Sequence, residues 1–167
     1  MYQRILVPID GSETALKGLD EALKVAKLTG ASVRLIHIVD QLSYVTGFET
    51  FVTYDKDLLP ALERAGEQIL QEGRVRAEST GVKTETLLFT SLADPVCDLV
   101  VSQARSWKAD LIVIGTHGRR GVSRAMMGSD AEQIVRISPV PVLLVRAAQA
   151  QGNPAAEAVA QAGHAAD

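Results

Sequence analysis

Polar and apolar positions along this chain follow two rhythms that take turns. Arg4-Ile5-Leu6-Val7-Pro8-Ile9 is a short, nearly unbroken apolar run, the pattern of a strand buried on both faces of a parallel sheet. Asp10-Gly11-Ser12 breaks it. Ser12 is a natural helix N-cap with Glu13 in the first turn, and Leu16, Leu19, Leu23 and Ala26 recur at helical spacing until Gly30 closes the segment. Residues 32–39 predict a second strand and complete one strand-helix-strand unit. A helix is expected over 58–78, with Leu62, Ala65 and Ile69 as its apolar stripe, and a third strand over 84–89. Asp94 as N-cap and Pro95 at the first helical position open a helix whose apolar face carries Val96, Val100, Ala104 and Trp107. A fourth strand is predicted over 110–114, a short helix over 130–136 and a fifth strand over 141–145.

Five strands alternating with four helices predict an α/β fold with a doubly wound parallel sheet, joined by right-handed crossovers. In such a sheet, ligands bind outside the carboxyl ends of the strands, where strand order reverses. Asp10 follows strand one and Gly115 follows strand four, so both face one crevice if those strands are neighbours. Two stretches fall outside the rhythm. Residues 41–57 lack periodicity yet hold Tyr44, Phe48, Phe51 and Tyr54, most of the chain's aromatics, and read as a lid or interaction surface. From Ala147 onward alanine dominates, with Gly152, Pro154 and Gly163 among it, which suggests a mobile tail.

Bulk properties narrow the picture. One domain is expected for 167 residues, large enough to fold without a disulfide or metal staple. The formal net charge of −3 argues against general affinity for nucleic acid or anionic membranes, leaving room for a local basic patch. Cys97 is the single cysteine, so no internal disulfide forms; it reads as a buried, inert thiol. Residues 2–8 are too short for a signal peptide, and no apolar run reaches transmembrane length, so a cytoplasmic protein without membrane insertion is expected.

The chemistry concentrates in Gly115-Thr116-His117-Gly118-Arg119-Arg120-Gly121, followed by Gly128-Ser129-Asp130. A strand that empties into glycines and then into a helix start suits a bound phosphate, because glycine permits close backbone approach and a helix start offers N–H groups. The spacing lacks the lysine of the common P-loop and differs from the dinucleotide fingerprint. Taken alone, the glycines are equally consistent with a tight turn. Ser129 with Glu132 has the spacing of a capping box. Arg119, Arg120 and Arg124 form a basic cluster that either neutralises phosphate or is a solvated face, and His117 either touches phosphate or is solvated. Asp10 either serves the ligand or caps the following turn. His37 is expected to point into a packed layer. No catalytic triad or metal-ligand cluster stands out.

Gly115-x2-Gly118-x9-Gly128-Ser129 resembles the nucleotide-binding motif of the universal stress protein family, without a gap. Ile5-Leu6-Val7-Pro8-Ile9-Asp10-Gly11-Ser12 resembles that family's first strand and turn, His37-Ile38-Val39 the end of its second strand, and residues 138–145 its last. The resemblance implies a domain over residues 1–147 and a tail over 148–167. It implies a Rossmann-like sheet of the adenine nucleotide alpha hydrolase type, in order 3-2-1-4-5, and ATP (or ADP or AMP) bound as in the nucleotide-binding branch. By the same resemblance Pro8, Ile9 and Asp10 border base and ribose, and Ile38 reads adenine through its backbone. Gly115 lines the ribose, Gly118 the phosphates, and Gly128, Ser129 and Asp130 offer donors to the phosphates, with Thr116, His117, Arg119, Arg120 and Gly121 completing the loop. Mg²⁺ or Mn²⁺ could accompany the nucleotide, with Asp10 the one obvious protein carboxylate. A homodimer through residues 142–145, or a higher oligomer, is implied as well. The leading expectation is an ATP sensor or regulator in the stress response. The alternatives are a slow nucleotide hydrolase and a nucleotide-independent partner of a transporter or another cytoplasmic system.

Overall fold

A computed structural model describes residues 1–41, 58–92, 94–116 and 127–146. Among these residues nine elements follow one another: β1 (Arg4–Pro8), α1 (Glu13–Thr29), β2 (Ser32–Asp40), α2 (Leu59–Glu78), β3 (Thr84–Ser91), α3 (Val96–Ser106), β4 (Leu111–Gly115), α4 (Ser129–Ile137) and β5 (Val142–Val145). All strand pairs are parallel, in the order β3-β2-β1-β4-β5. This is the expected doubly wound α/β sheet, and β1 and β4 are neighbours.

The strand pleat sorts the core into two layers. Ile5, Val7 and Ile9, with Val33, Leu35, Leu111 and Val113, face α1 and α2 and meet Leu19, Leu23 and Leu70. Leu6, Ile36, Ile112 and Ile114 face the other way and meet Val100, Ala104 and Ile134 of α3 and α4. Burial on both faces is why these strands read as continuous apolar runs rather than alternating ones. Each fully buried Ile, Leu or Val side chain contributes roughly 1.5–3 kcal/mol.

Helix α1 begins and ends as predicted. Ser12 Oγ accepts the Ala15 N–H, and Gly30 takes the left-handed conformation (φ 73°) while its N–H donates to the Ala26 carbonyl. Three expectations shift. In α2, Ala65 is exposed and the buried face is Gly66, Leu70, Gly73 and Ala77. The two glycines let the helix lie close to the sheet: a Cβ on Gly73 would stand 2.9 Å from Ile9 Cδ1 and from Leu35 Cδ1. Counting large apolar residues overlooks a contact face made of glycine. In α3, the cap position falls on Pro95 instead of Asp94, and the Asp94 N–H donates to Ser91 Oγ instead. Trp107 stands at the C-cap, with the Arg34 guanidinium carbon 4.5 Å from its ring centroid. In α4, Gly128 is the N-cap and Ser129 the first helical residue. The Ser129–Glu132 capping box therefore does not form, and Glu132 pairs with Arg136 at 3.0 Å.

Two junctions set the sheet's edges. Asp110 stands just before β4, and its carboxylate accepts the Gln3 and Arg4 N–H groups, tying β1 to β4 at their amino ends. At the carboxyl ends, the first turn of α1 rests on Gly115. A Cβ there would stand 2.8 Å from the Thr14 carbonyl carbon and 2.9 Å from its oxygen. Gly18, one turn on, keeps the same approach open: its Cβ would stand 3.4 Å from Gly115 N.

These contacts give two stability predictions, both readable by urea unfolding. Gly115→Ala forces backbone apart and should cost about 1–3 kcal/mol. Lys108 ends α3 in the left-handed region (φ 55°), with its N–H on the Arg105 carbonyl and that of Ala109 on the Ala104 carbonyl. Lys108→Gly removes the Cβ penalty at this helix end and should stabilise by roughly 0.5–1 kcal/mol.

Candidate functional site

Because every strand is parallel, Pro8, Asp40 and Gly115 end on one edge of the sheet. The three ends are not level. Pro8 stands opposite Ile36, and β1 goes no further, whereas β2 runs on to Asp40 with β3 alongside. Successive residues of a strand turn their N–H and C=O to alternate sides. Ser32 donates to Gln3, and Ile36 accepts from Ile9, so even-numbered residues of β2 address the β1 side. Val33 donates to Lys83, so odd-numbered ones address β3. Ile38 therefore directs its N–H and C=O toward the β1 side, where no β1 residue stands opposite. Its side chain, half-buried, packs on the α3 layer. A donor and an acceptor side by side on a strand past its neighbour's end can pair with the edge of a planar heterocycle.

Next to this gap the chain turns through Asp10-Gly11-Ser12. Asp10 Oδ1 accepts the Ser12 N–H at 3.0 Å, and Gly11 has φ 81°. Asp10 thus caps the turn, the plainer of its two expected roles. Pro8 is half-buried and Ile9 buried beside it.

On the other side of β1, the end of β4 is fixed at both flanks. Gly115 stands opposite Val145. The Thr116 N–H donates to the Val145 carbonyl and the Thr116 carbonyl accepts the Gly128 N–H, each at 2.9 Å. The second bond joins Thr116 to Gly128 directly, placing the start of α4 beside the end of β4. Gly128 is extended (φ −63°, ψ 148°) and carries no side chain to cap the helix. The first-turn N–H groups of any helix lack an intrahelical acceptor, and the helix dipole adds positive potential there.

The structure therefore brings Pro8, Ile9, Asp10, Ile38, Gly115, Thr116, Gly128, Ser129 and Asp130 to the carboxyl edge of the sheet and the elements that leave it. His117, Gly118, Arg119, Arg120 and Gly121 lie outside the described residues, as does the 42–57 segment with its aromatics. Gly115 has a structural reason to be glycine, namely the backbone of Thr14. Sequence reasoning missed Thr14, which belongs to no recognisable motif, and named Thr116 without foreseeing the role of its carbonyl.

Other chemistry is sparse. Among the described residues no three His, Cys, Asp or Glu side chains converge as a metal site. Cys97 is buried with Sγ 3.7 Å from Gln133 Oε1. Burial pushes its thiol up, and the neighbouring Asp98 carboxylate adds to the shift, so the nucleophilic thiolate is disfavoured. A groove of about 670 Å³ lined by Asp98, Val101, Ser102, Arg105, Ser106 and Ile137 runs along the outer helices and shares no residue with the strand ends. No helix among the described residues is long and apolar enough to cross a membrane.

Comparison with known proteins agrees with this architecture. Residues 1–146 match the model of the universal stress protein family. Universal stress protein MJ0531 of Methanocaldococcus jannaschii is 32% identical over 146 residues, covering 87% of this chain and 83% of that protein. A crystal structure of a universal stress protein family member from Burkholderia pseudomallei is 31% identical with a TM-score of 0.69, covering 87% and 97% of the two chains. The universal stress protein from Archaeoglobus fulgidus in complex with dAMP is 24% identical with a TM-score of 0.61, covering 86% and 98%. The chain belongs to the universal stress protein family.

Proposed function

We propose that this chain is an adenine-nucleotide-binding regulatory module of the stress response, gripping ATP, or ADP or AMP in its place. The observation that carries the reading is the Thr116–Gly128 hydrogen bond, which brings the start of α4 to the end of β4. Phosphates lie at that helix start, against Gly128, Ser129 and Asp130 and the loop residues His117, Gly118, Arg119, Arg120 and Gly121. Adenine pairs with the backbone of Ile38, and Pro8, Ile9, Asp10, Gly115 and Thr116 border base and ribose. The dAMP complex of the Archaeoglobus fulgidus relative supports the ligand class. A Mg²⁺ or Mn²⁺ ion would be held chiefly by the phosphate oxygens, with Asp10 as the one protein carboxylate nearby. The domain spans residues 1–147 with 148–167 as an appended tail, and the protein works in the cytoplasm.

The same reading includes a homodimer. β5 is an edge strand, and Leu143 and Leu144 on its opposite faces are 38% and 37% exposed. A parallel-sheet protein covers both faces of its strands, so an edge strand with a partly exposed leucine on each face supports pairing with a second copy.

Titration calorimetry tests the site. Wild type should take up ATP, and Gly128→Val and Gly118→Val should each weaken it roughly tenfold or more. Valine readily adopts the backbone conformation of Gly128, so the loss reports blocked phosphate approach. Equal heats for all three proteins would sink the assignment. ATP recovered intact after hours with Mg²⁺ would support a sensor, whereas recovery of ADP would favour a slow hydrolase. For assembly, light scattering at micromolar concentration should give twice the 17.8 kDa chain mass. Leu144→Asp should shift it toward the monomer, and a wild-type monomer would contradict the dimer.

A further inference from the structure

Ile9 stands one residue past the end of β1 and is buried. Its N–H continues the ladder onto the Ile36 carbonyl, but its own carbonyl lies beyond the last strand register pair. A buried carbonyl needs a donor. His37 Nδ1 stands 2.7 Å from the Ile9 oxygen. A carbonyl oxygen only accepts, so Nδ1 carries the proton and donates. The imidazole is itself buried and braced from behind by α2: a Cβ on Gly66 would stand 2.7 Å from His37 Cδ2 and 3.3 Å from Nε2. The ring thus lies against helix backbone, with no room to retreat.

The Ile9 carbonyl and the Asp10 N–H belong to one rigid peptide plane. Whatever holds the Ile9 oxygen orients the residue whose carboxylate organises the turn through the Ser12 N–H. His37 also immediately precedes Ile38, whose backbone addresses the same gap. We propose that His37 is a positioning residue of the nucleotide site, holding the Ile9–Asp10 peptide so that Asp10 and the Ile38 backbone keep their spacing. The proposal rests on the nucleotide reading for its ligand. The hydrogen bond and its brace by Gly66 are independent of that reading.

Two amide substitutions separate positioning from bulk. Asn places its side-chain nitrogen where Nδ1 sits, whereas Gln places it nearer the position of Nε2. In full-length, ¹⁵N-labelled protein without nucleotide, His37→Asn should leave the Ser12 amide resonance near its wild-type position and His37→Gln should move it. In calorimetry with ATP, His37→Asn should bind within about threefold of wild type and His37→Gln roughly tenfold more weakly. Should the glutamine variant fail to fold, Gly66→Ala displaces the ring without removing it and should move the same amide and weaken ATP. A glutamine variant indistinguishable from asparagine, or a shifted Ser12 amide with unchanged ATP affinity, overturns the role of His37. Wild-type protein that takes up no ATP overturns the nucleotide reading itself, a failure visible before any variant is made.

Discussion

The close seating of α1 on the end of β4 is the constraint from which the rest of the molecule's functional edge follows. Gly115 has no Cβ because the Thr14 backbone occupies that space, and Gly18 on the next turn packs on the same residue less closely. With α1 fixed there, the chain leaving β1 has only Ile9, Asp10, Gly11 and Ser12 in which to reverse and enter the helix. That short path requires the positive φ of Gly11 and the two local bonds that define the turn, Ser12 N–H to Asp10 and Ala15 N–H to Ser12. Two strand ends that are far apart in sequence are thereby locked side by side.

The unequal strand lengths complete the arrangement. Were β1 two residues longer, its backbone would pair with Ile38 and close the gap; ending at Pro8, it leaves a polar notch in an otherwise apolar sheet. The last bond of the β1–β2 ladder is the Ile9 N–H on the Ile36 carbonyl. The deviation of the carbonyl of Ile9 toward His37 follows from the same early stop. An edge with staggered strand ends offers donors and acceptors without exposing the layers on either face.

The architecture was legible because parallel strands buried on both faces leave continuous apolar runs, and caps such as Ser12 and Gly30 punctuate them. What escaped did so for identifiable reasons. The α2 face rests on Gly66 and Gly73, residues that carry no hydrophobic signal. The α4 cap fell one residue early because an N-cap glycine competes with an adjacent serine, and both residue types are favoured there. At the candidate site, the family motif points to the carboxyl end of the sheet, but the motif does not distinguish a glycine kept for a ligand from one kept for a helix. Gly115 is at least the second kind. Thr14 and the Thr116 carbonyl act through backbone atoms, which every residue possesses, so no residue type could have flagged them.

Backbone groups also set the character of the candidate site. Ile38 offers its peptide groups, the start of α4 offers N–H groups, and Thr116 contributes a carbonyl that fixes the loop. Such groups provide orientation and fixed partial charge but cannot shuttle protons, because they do not titrate near neutral pH. Two side chains at this edge take part in holding the backbone: Asp10 accepts the Ser12 N–H, and His37 donates to Ile9. On the nucleotide reading proposed above, a site assembled in this way recognises the shape and charge of its ligand. Its specificity then depends on how rigidly the strand ends are held, which is a property of the packing beneath them.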